Sequence, residues 1–153
     1  MSVNGSGEEG ILLAREQFRV VMGDTDAARV IYFGAPLGWA ERLMTTWFAD
    51  AGLPTSSTID SGRGYPAVRA EVAYRSPLRL DDQVFGTLLT GAITNRSVTF
   101  HAQFATGFEA PPAVEVWLTK VHVRFDVDGS EAIPLDASLL AAFDRGFVEP
   151  QTQ

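Results

Sequence analysis

The residues best suited to chemistry lie between Gly23 and Gly34, in the stretch GDTDAARVIYFG. Asp24 and Asp26 are two residues apart, so in an extended segment their carboxylates point the same way. We interpret Asp24 as a loop residue that hydrogen-bonds nearby amides. Asp26 precedes an apolar run, residues 30–33, which we expect to bring it into the interior beside the start of a helix. A carboxylate held there acts as a nucleophile or general base, and the helix amides stabilise an oxyanion.

Other catalytic side chains are scarce in this chain. There is no cysteine, which excludes disulfides, thiolate metal sites and a cysteine nucleophile, and the only histidines are His101 and His122. Both lie among polar or charged neighbours of strand-like runs, and we expect them at an interface or in solvent rather than in acid–base catalysis. The segment Asp126–Gly129 begins like a calcium loop but lacks the remaining ligands, and we interpret it as a turn. No metal is predicted.

A helix that follows the stretch Gly23–Gly34 must hold it in position. Apolar residues recur with helical spacing from Leu37 to Ala51, which predicts one helix of roughly four turns over about 36–51. Pro36 suits its first turn and Gly52 its C-terminal cap. The apolar face is broad and favours burial against a sheet. The aromatic residues Trp39, Trp47, Phe48 and Tyr65 are candidates to frame an aryl group, although helical spacing is more typical of core residues.

Strands are predicted both before and after this helix in the chain. We expect a first strand at Phe18–Met22, a polar loop at Thr55–Gly64, and four long strands whose alternation is typical of an antiparallel sheet. These four strands are predicted at Ala67–Tyr74, Gln83–Ile93, Ser97–Ala105 and Val114–Val127. A short C-terminal helix within Pro134–Phe147 is expected to bury Leu135, Leu139, Leu140 and Phe143. The order predicts an α+β fold in which a sheet of about five strands curls around one central helix.

Length and charge set the remaining limits. The 153 residues fit a single domain, predicted at 13–148 between a disordered tail at 1–12 and a C-terminal tail at 149–153. The net charge of -7 argues against nucleic-acid binding. No run is apolar enough to span a membrane and no secretory signal is visible, so we expect a soluble, cytoplasmic protein.

The stretch Gly23–Gly34, followed by Trp39-Ala-Glu41, resembles the signature of the 4-hydroxybenzoyl-CoA thioesterase family of hotdog-fold proteins. The segments Tyr74–Asp82 and Trp117–Phe125 are similar to later strands of that family. The resemblance covers nearly everything from Phe18 to Phe147 and agrees with the predicted order of elements. It implies a hotdog fold and an acyl-CoA thioesterase that acts on an aromatic or medium-chain acyl group without a cofactor. It also implies a homodimer with joint active sites, assembled into a homotetramer.

The resemblance also assigns site residues. It implies that Asp26 is the essential carboxylate, as nucleophile or as the base that activates water, and that the backbone amide of Phe33, with Gly34 beside it, polarises the thioester oxygen. Glu41 matches a position that approaches the acyl group across the dimer interface, or else it is a surface or ion-paired residue. Arg96 and Ser97 match the place where the phosphates of CoA are held, and a basic side chain there suits phosphate.

Two departures from the family pattern and two alternative functions remain open. Ala35-Pro36 stands where many relatives have Asn before the helix. Arg29 stands where many relatives have glycine, and it is strained if that position needs a positive φ. Arg29 can also contact the substrate or Asp26, and in the second case it would lower the pKa of that carboxylate. The alternative functions are hydrolysis of an acyl carrier protein thioester in a polyketide or fatty-acid pathway, and non-catalytic binding of acyl-CoA.

Overall fold

The computed structural model describes residues 10–147, in which one long helix packs against a five-stranded antiparallel sheet. The helices are α1 (Ala35–Asp50), α2 (Thr55–Asp60) and α3 (Ala137–Arg145). The strands are β1 (Leu12–Arg19), β2 (Arg63–Gly64), β3 (Ala67–Tyr74), β4 (Gln83–Ile93), β5 (Ser97–Ala105), β6 (Val114–Val121), β7 (Val123–Asp126) and β8 (Gly129–Ala132). The large sheet has the order β1-β4-β5-β6-β3, and a small sheet has the order β2-β7-β8. The predicted α+β architecture is confirmed.

The core lies between α1 and the large sheet. α1 packs on β1, β4, β5 and β6, and it buries Trp39, Leu43 and Trp47. The helix approaches β4 closely at Gly86, where an added Cβ would lie 3.2 Å from Phe104 and 3.3 Å from Leu43. Glycine at this position therefore lets the helix sit low on the sheet.

The ends of α1 follow the sequence prediction. Pro36 lies in the first turn, where its missing N–H costs no helical hydrogen bond. At the other end Gly52 adopts φ +80°, and the N–H of Leu53 donates to the carbonyl of Phe48 at 2.8 Å. This left-handed cap ends the helix with its last carbonyls satisfied.

Three of the predicted long strands, β3, β4 and β5, have the expected bounds. The predicted alternation is confirmed for β4 and β5, and the face of β5 formed by Val98, Phe100, Ala102 and Phe104 is at most 1% exposed. Thr99, His101 and Gln103 lie on the opposite, half-buried face. Period-two alternation was readable in β4 and β5 because one face of each of these two strands meets the core. The alternation is not seen in the edge strand β3, in which no residue is fully buried.

The first strand was placed wrongly. It spans Leu12–Arg19 rather than Phe18–Met22, and Met22–Asp24 forms a turn of 3-10 helix. The chain turns there because the Asp24 carboxylate accepts a hydrogen bond from the N–H of Val21 at 3.0 Å. The charged residues of this edge strand weaken its apolar alternation, so the sequence pattern did not reveal it.

The predicted strand Val114–Val127 is in fact two strands. β6 stays in the large sheet, whereas β7 leaves it after His122 and pairs with β2 and β8. The predicted loop Thr55–Gly64 contains α2 and β2. The Ser/Thr side chains of that segment bond to its own backbone, as Ser61 Oγ does to the carbonyl of Thr58 at 2.6 Å. Short polar helices of this kind carry no apolar periodicity to detect.

The ends of the described chain need two further corrections. The N-terminal tail was predicted to reach residue 12, but Leu12 begins β1 and the N–H of Ile11 donates to Thr90 Oγ1 at 2.9 Å. The predicted tail residues 1–9 and 149–153 lie outside the described residues. Leu135, just before α3, and Leu139 and Phe143 within α3 are buried as expected, but Leu140 is 41% exposed. Within residues 10–147, none of the helices has the length and apolar character needed to cross a membrane.

Candidate active site

Asp24 anchors the loop that precedes α1. Its Oδ2 accepts the N–H of Val21 at 3.0 Å, and its Oδ1 accepts the indole Nε1–H of Trp39 at 3.2 Å. Trp39 is only 4% exposed, so this bond ties the loop to the buried face of α1. Both oxygens of Asp24 are engaged, which agrees with its interpretation as a structural loop residue.

Asp26 is held differently. Its Oδ1 accepts the N–H of Ala28 at 2.8 Å, and its other oxygen has no hydrogen-bond or ion-pair partner among residues 10–147. The segment is not extended, because of the turn at Met22–Asp24, and the two aspartates have separate partners. The expectation that Asp26 lies in the interior is wrong for the single chain, in which it is exposed. The apolar run that follows does not cover it, since Phe33 itself is 82% exposed.

Arg29 occupies a left-handed position in the turn that displays Asp26, with φ +62°. Its N–H donates to the carbonyl of Asp26 at 3.0 Å, and its own carbonyl accepts the N–H of Leu80 at 3.0 Å. The position has a positive φ, the condition under which strain was expected for Arg29, and an L-residue there costs about 1–2 kcal/mol. Within the described part of the chain, Arg29 forms no ion pair with Asp26.

The amides of Phe33 and Gly34 stand at the start of α1, with Gly34 as the N-cap residue. Neither N–H has an acceptor within residues 10–147. The carbonyl of Phe33 accepts a hydrogen bond from the hydroxyl of Tyr74, the last residue of β3. Two unpaired N–H groups at the positive end of a 16-residue helix are suited to a developing oxyanion.

Glu41 lies farther along α1, in the wall of a pocket. The pocket lies between α1, α2 and β7 and has a volume of about 260 Å³. Glu41 Oε2 accepts a hydrogen bond from Lys120 Nζ at 3.2 Å. The predicted acyl-binding position is therefore ion-paired and faces a pocket at the same time, which keeps both interpretations of Glu41 open.

Arg96 and Ser97 lie at the turn between β4 and β5. Ser97 Oγ is 2.7 Å from Thr94 Oγ1, and the carbonyl of Arg96 accepts the N–H of His122 at 2.9 Å. Val98 pairs with Lys120 across the strands, so this turn is close to the pocket that contains Lys120. The Arg96 side chain is exposed and forms no ion pair within the described residues.

The predicted site residues thus form two groups. Asp26, Phe33 and Gly34 lie at the end of the sheet where Tyr74 pairs with Val114, whereas Lys120 pairs with Ala67 at the other end of β3. The two ends are about 20–25 Å apart by the rise of a strand. Within residues 10–147 no hydrogen bond or ion pair links Asp26 to Glu41 or Lys120, so a single chain leaves the two groups separate.

The expectation of solvent exposure is wrong for His122, whereas His101 is half-buried on the outer face of the large sheet and its place at an interface stays a prediction. His122 is only 1% exposed: Nδ1 lies 2.7 Å from the carbonyl of Pro134, Nε2 lies 3.2 Å from Arg63 Nη1, and the ring stacks on Tyr65 at 4.6 Å. Burial and the nearby Asp136 carboxylate raise the pKa of Tyr65. This cluster joins the small sheet to the segment before α3 and is part of the structure rather than a catalytic site.

His101 belongs to a polar cluster on the outer face of the large sheet. Its Nε2 lies 3.0 Å from Glu115 Oε1, and its ring stacks on Trp117 at 4.8 Å. Arg75 binds the other oxygen of Glu115 through Nε at 2.7 Å. Burial lowers the pKa of His101. Burial raises the pKa of Glu115, but its bonds to Arg75 and His101 outweigh this and leave it below its usual value.

A second groove, of about 380 Å³, lies between β1, α1 and α3. Charged side chains of both signs line it, including Arg15, Glu16, Asp50 and Arg145. Of the candidate residues only the aromatic Trp47 lines it, and none of the predicted catalytic, oxyanion, acyl-binding or CoA-binding residues does. We therefore do not assign the active site to this larger groove. Among residues 10–147, no three His, Asp or Glu side chains come together in a way that would hold a metal ion.

Sequence reasoning missed Lys120 and the pocket formed by α2. A signal for Lys120 was present, because it is the only lysine among the 153 residues and lies on the same strand face as Val114, Val116 and Leu118. Of the aromatic candidates, Phe48 and Tyr65 line this pocket, whereas Trp39 and Trp47 belong to the core.

Comparison with known proteins shows similarity to enzymes that hydrolyse acyl-CoA thioesters. A curated 1,4-dihydroxy-2-naphthoyl-CoA hydrolase from Rippkaea orientalis (strain PCC 8801 / RF-1) is 28% identical over 121 residues, which cover 78% of this chain and 86% of that protein. The structure of a 1,4-dihydroxy-2-naphthoyl-CoA thioesterase from Synechocystis matches with a TM-score of 0.77 and 18% identity, over 85% of this chain and 94% of the other.

A 4-hydroxybenzoyl CoA thioesterase structure matches with a TM-score of 0.74 and 17% identity, over 84% of this chain and 96% of the other. These structural matches confirm the predicted hotdog fold. The family model described as Thioesterase-like superfamily matches residues 20–143, which include the Asp26 loop, α1 and the whole pocket. The chain belongs to the Thioesterase-like superfamily.

Proposed function

We propose that this protein is an acyl-CoA thioesterase that hydrolyses an aromatic or medium-chain acyl-CoA to the free acid and CoA. The observation that carries the proposal is the Asp26 carboxylate, which keeps one oxygen unpartnered among residues 10–147 on a loop that leads into two free helix amides. The similarity to aryl-CoA hydrolases supports an aromatic acyl group. No cofactor enters the proposed reaction.

In this proposal the thioester oxygen accepts hydrogen bonds from the amides of Phe33 and Gly34. Asp26 either attacks the carbonyl carbon, which gives an acyl-enzyme anhydride and the CoA thiolate, or takes a proton from the water that attacks. A burst of thiol equal to the enzyme concentration would indicate the anhydride path, because CoA then leaves before the acid forms. The exposed Arg96 guanidinium, with Ser97, is proposed to hold the CoA phosphates.

We propose that the working unit is a dimer. β3 is an exposed edge strand of the large sheet, and such an edge is available to pair with another strand. Antiparallel pairing of two β3 strands about a two-fold axis would set the Tyr74 end of one copy beside the Ala67 end of the other. The Asp26 loop of one protomer would then approach the Glu41 pocket of its partner, which joins the two groups that a single chain keeps apart.

Two finer parts of the proposal follow the family resemblance. We propose that two such dimers assemble into a homotetramer, which light scattering measures directly as a mass four times that of the chain. We also propose a cytoplasmic location, where the enzyme would meet acyl-CoA.

The test is release of free thiol from benzoyl-, hydroxybenzoyl-, phenylacetyl- and straight-chain acyl-CoA esters. We expect Asp26→Asn to lower kcat by about 10²–10⁴-fold or more, the contribution of a general base or nucleophile. Asp144→Asn is the matched control, since Asp144 is exposed on α3 and outside the site, and it should leave kcat unchanged. An Asp26→Asn variant as active as the native protein would refute the assigned role.

The alternatives give different results in the same assay. Tight binding of acyl-CoA by the native protein without thiol release would favour the non-catalytic binding function. Rapid hydrolysis of an acyl carrier protein thioester, with weak inhibition by free CoA, would favour the carrier-protein substrate.

A further inference from the structure

The hydroxyl of Tyr74 holds a carbonyl beside the two free amides at the start of α1. Tyr74 is the last residue of β3, and its side chain lies on the α1 side of the sheet, because Val72, two residues earlier, packs against the core. The hydroxyl donates to the carbonyl of Phe33. Among residues 10–147 no backbone N–H donates to this carbonyl, so Tyr74 is its partner in the described part of the chain.

Stability does not require this hydrogen bond. Tyr74 is 51% exposed and Phe33 is 82% exposed, so water can satisfy the carbonyl when the hydroxyl is removed. A protein hydrogen bond of this kind replaces one to water, and its net contribution to folding is small. The tyrosine differs from water in giving the carbonyl a fixed direction.

The carbonyl of Phe33 belongs to the central peptide of a turn. The N–H of Ala35 donates to the carbonyl of Tyr32 at 3.1 Å, which makes Phe33 and Gly34 the two middle residues of a β-turn. Gly34 has φ -87° and ψ -15°, the values of the third position in a type I turn. The central peptide is planar and trans, so the carbonyl of Phe33 and the N–H of Gly34 point in opposite directions.

Glycine at position 34 permits a second orientation of this peptide. In a type II turn the central peptide is reversed and the third residue has a positive φ, which glycine adopts readily. Such a reversal would turn the Gly34 N–H toward the place that the Phe33 carbonyl now occupies, and it would break the bond to Tyr74. The Tyr74 hydroxyl therefore favours the orientation in which the Gly34 N–H points away from β3.

We propose that Tyr74 is a positioning residue for hydrolysis, whose hydroxyl holds the Phe33–Gly34 peptide so that the Gly34 N–H faces the thioester oxygen. This inference rests on the proposed function and adds a residue to that site. A donor that is already aimed stabilises the transition state without turning at the moment of reaction. The bond from Tyr74 also polarises the peptide and makes its N–H a stronger donor. Both effects act through Gly34, and Tyr74 need not touch the substrate.

The experiment measures single-turnover release of thiol from the acyl-CoA ester that the native protein hydrolyses fastest, with enzyme in excess so that the chemical step is observed. We expect Tyr74→Phe to lower the rate constant by about 10-fold, a part of the roughly 10²–10³-fold that loss of a whole oxyanion donor costs. Half-saturation should stay within about threefold of the native value, because ground-state binding is unchanged. Tyr32→Phe is the matched control, since it removes a tyrosine hydroxyl of the same loop and leaves the bond from Tyr74 to Phe33 in place, and it should keep both native values.

Three results would overturn the positioning role. The first is a native rate constant in Tyr74→Phe. The second is an unfolding temperature more than a few degrees below that of the native protein with equal losses in rate and affinity, which would make Tyr74 a structural residue. The third is a displaced pH profile of the rate constant, which would mean that the hydroxyl transfers a proton in the reaction. In each case an inactive Asp26→Asn variant would leave the proposed function intact.

NMR tests the orientation of the peptide without turnover. The ¹H–¹⁵N signal of Gly34 should shift in Tyr74→Phe, because its peptide loses the hydrogen bond at the Phe33 carbonyl, whereas the signal of Gly38, one turn farther along α1, should stay near its native position. An unchanged Gly34 signal would refute the inference. A shifted Gly34 signal in a protein that releases no thiol from any acyl-CoA ester would refute the proposed function, and the catalytic part of the inference with it, but not the bond between Tyr74 and Phe33.

Discussion

Only one residue separates Asp24 from Asp26, yet we expect removal of the Asp24 carboxylate to lower the stability of the protein and removal of the Asp26 carboxylate to leave it nearly unchanged. Asp24→Ala deletes the acceptor of two hydrogen bonds, from Val21 N–H at 3.0 Å and from Trp39 Nε1–H at 3.2 Å. The Val21 amide is exposed and finds water, whereas the Trp39 indole is 4% exposed and is left with an unpaired donor. A buried donor left unpaired costs about 1–3 kcal/mol, and the exposed bond contributes about 0.5–1.5 kcal/mol. We therefore expect Asp24→Ala to destabilise the protein by about 2–3 kcal/mol.

Urea denaturation followed by tryptophan fluorescence measures this loss, and thermal unfolding should shift down by roughly 4–12 °C for a chain of this length. A double-mutant cycle with Trp39→Phe isolates the indole bond, with an expected coupling of about 1–2 kcal/mol. Asp26→Asn should leave the unfolding midpoint within about 2 °C, since its one hydrogen bond is exposed. The reasoning fails if Asp24→Ala is as stable as the native protein, or if the coupling with Trp39 is zero.

Further predictions concern the strained turn and the outer face of the sheet. Arg29→Gly should raise stability by about 0.5–1 kcal/mol, because relief of the left-handed strain outweighs the added backbone entropy of glycine. Arg29→Ala keeps the strain and should gain nothing in the same urea titration; equal gains in both variants would argue against strain. The pKa values of His101 and Glu115 are lowered in the native protein, so the unfolded chain binds more protons than the native one. Stability should therefore fall as the pH drops below about 6.5, where His101 of the unfolded chain takes up a proton, and further below about 4.3, where Glu115 does. His101→Gln should lose less stability than the native protein between pH 7 and 5, and identical pH profiles would show that His101 does not contribute.

Much of the architecture could be predicted because it is encoded locally. The 3.6-residue spacing of apolar side chains defined α1, with Pro36 and Gly52 at its ends, because a helix must bury one continuous face. The alternation along β4 and β5 was readable for the same reason, since each of these strands presents one side to the core. The edge strand β1 escaped this reasoning because its charged residues leave little apolar contrast, and α2 because its Ser/Thr side chains bond to their own backbone.

The sequence by itself determined the fold class, the central helix and the order Gly-Asp-Thr-Asp in front of it, because each depends on residues close together in the chain. Only the tertiary structure decided that Asp24 is tied to Trp39 while Asp26 stays free, and that Glu41 and Lys120 meet at one pocket. These contacts depend on strand register and on how low α1 sits on the sheet. Register is set by pairing between segments far apart in the chain, and no local pattern records it.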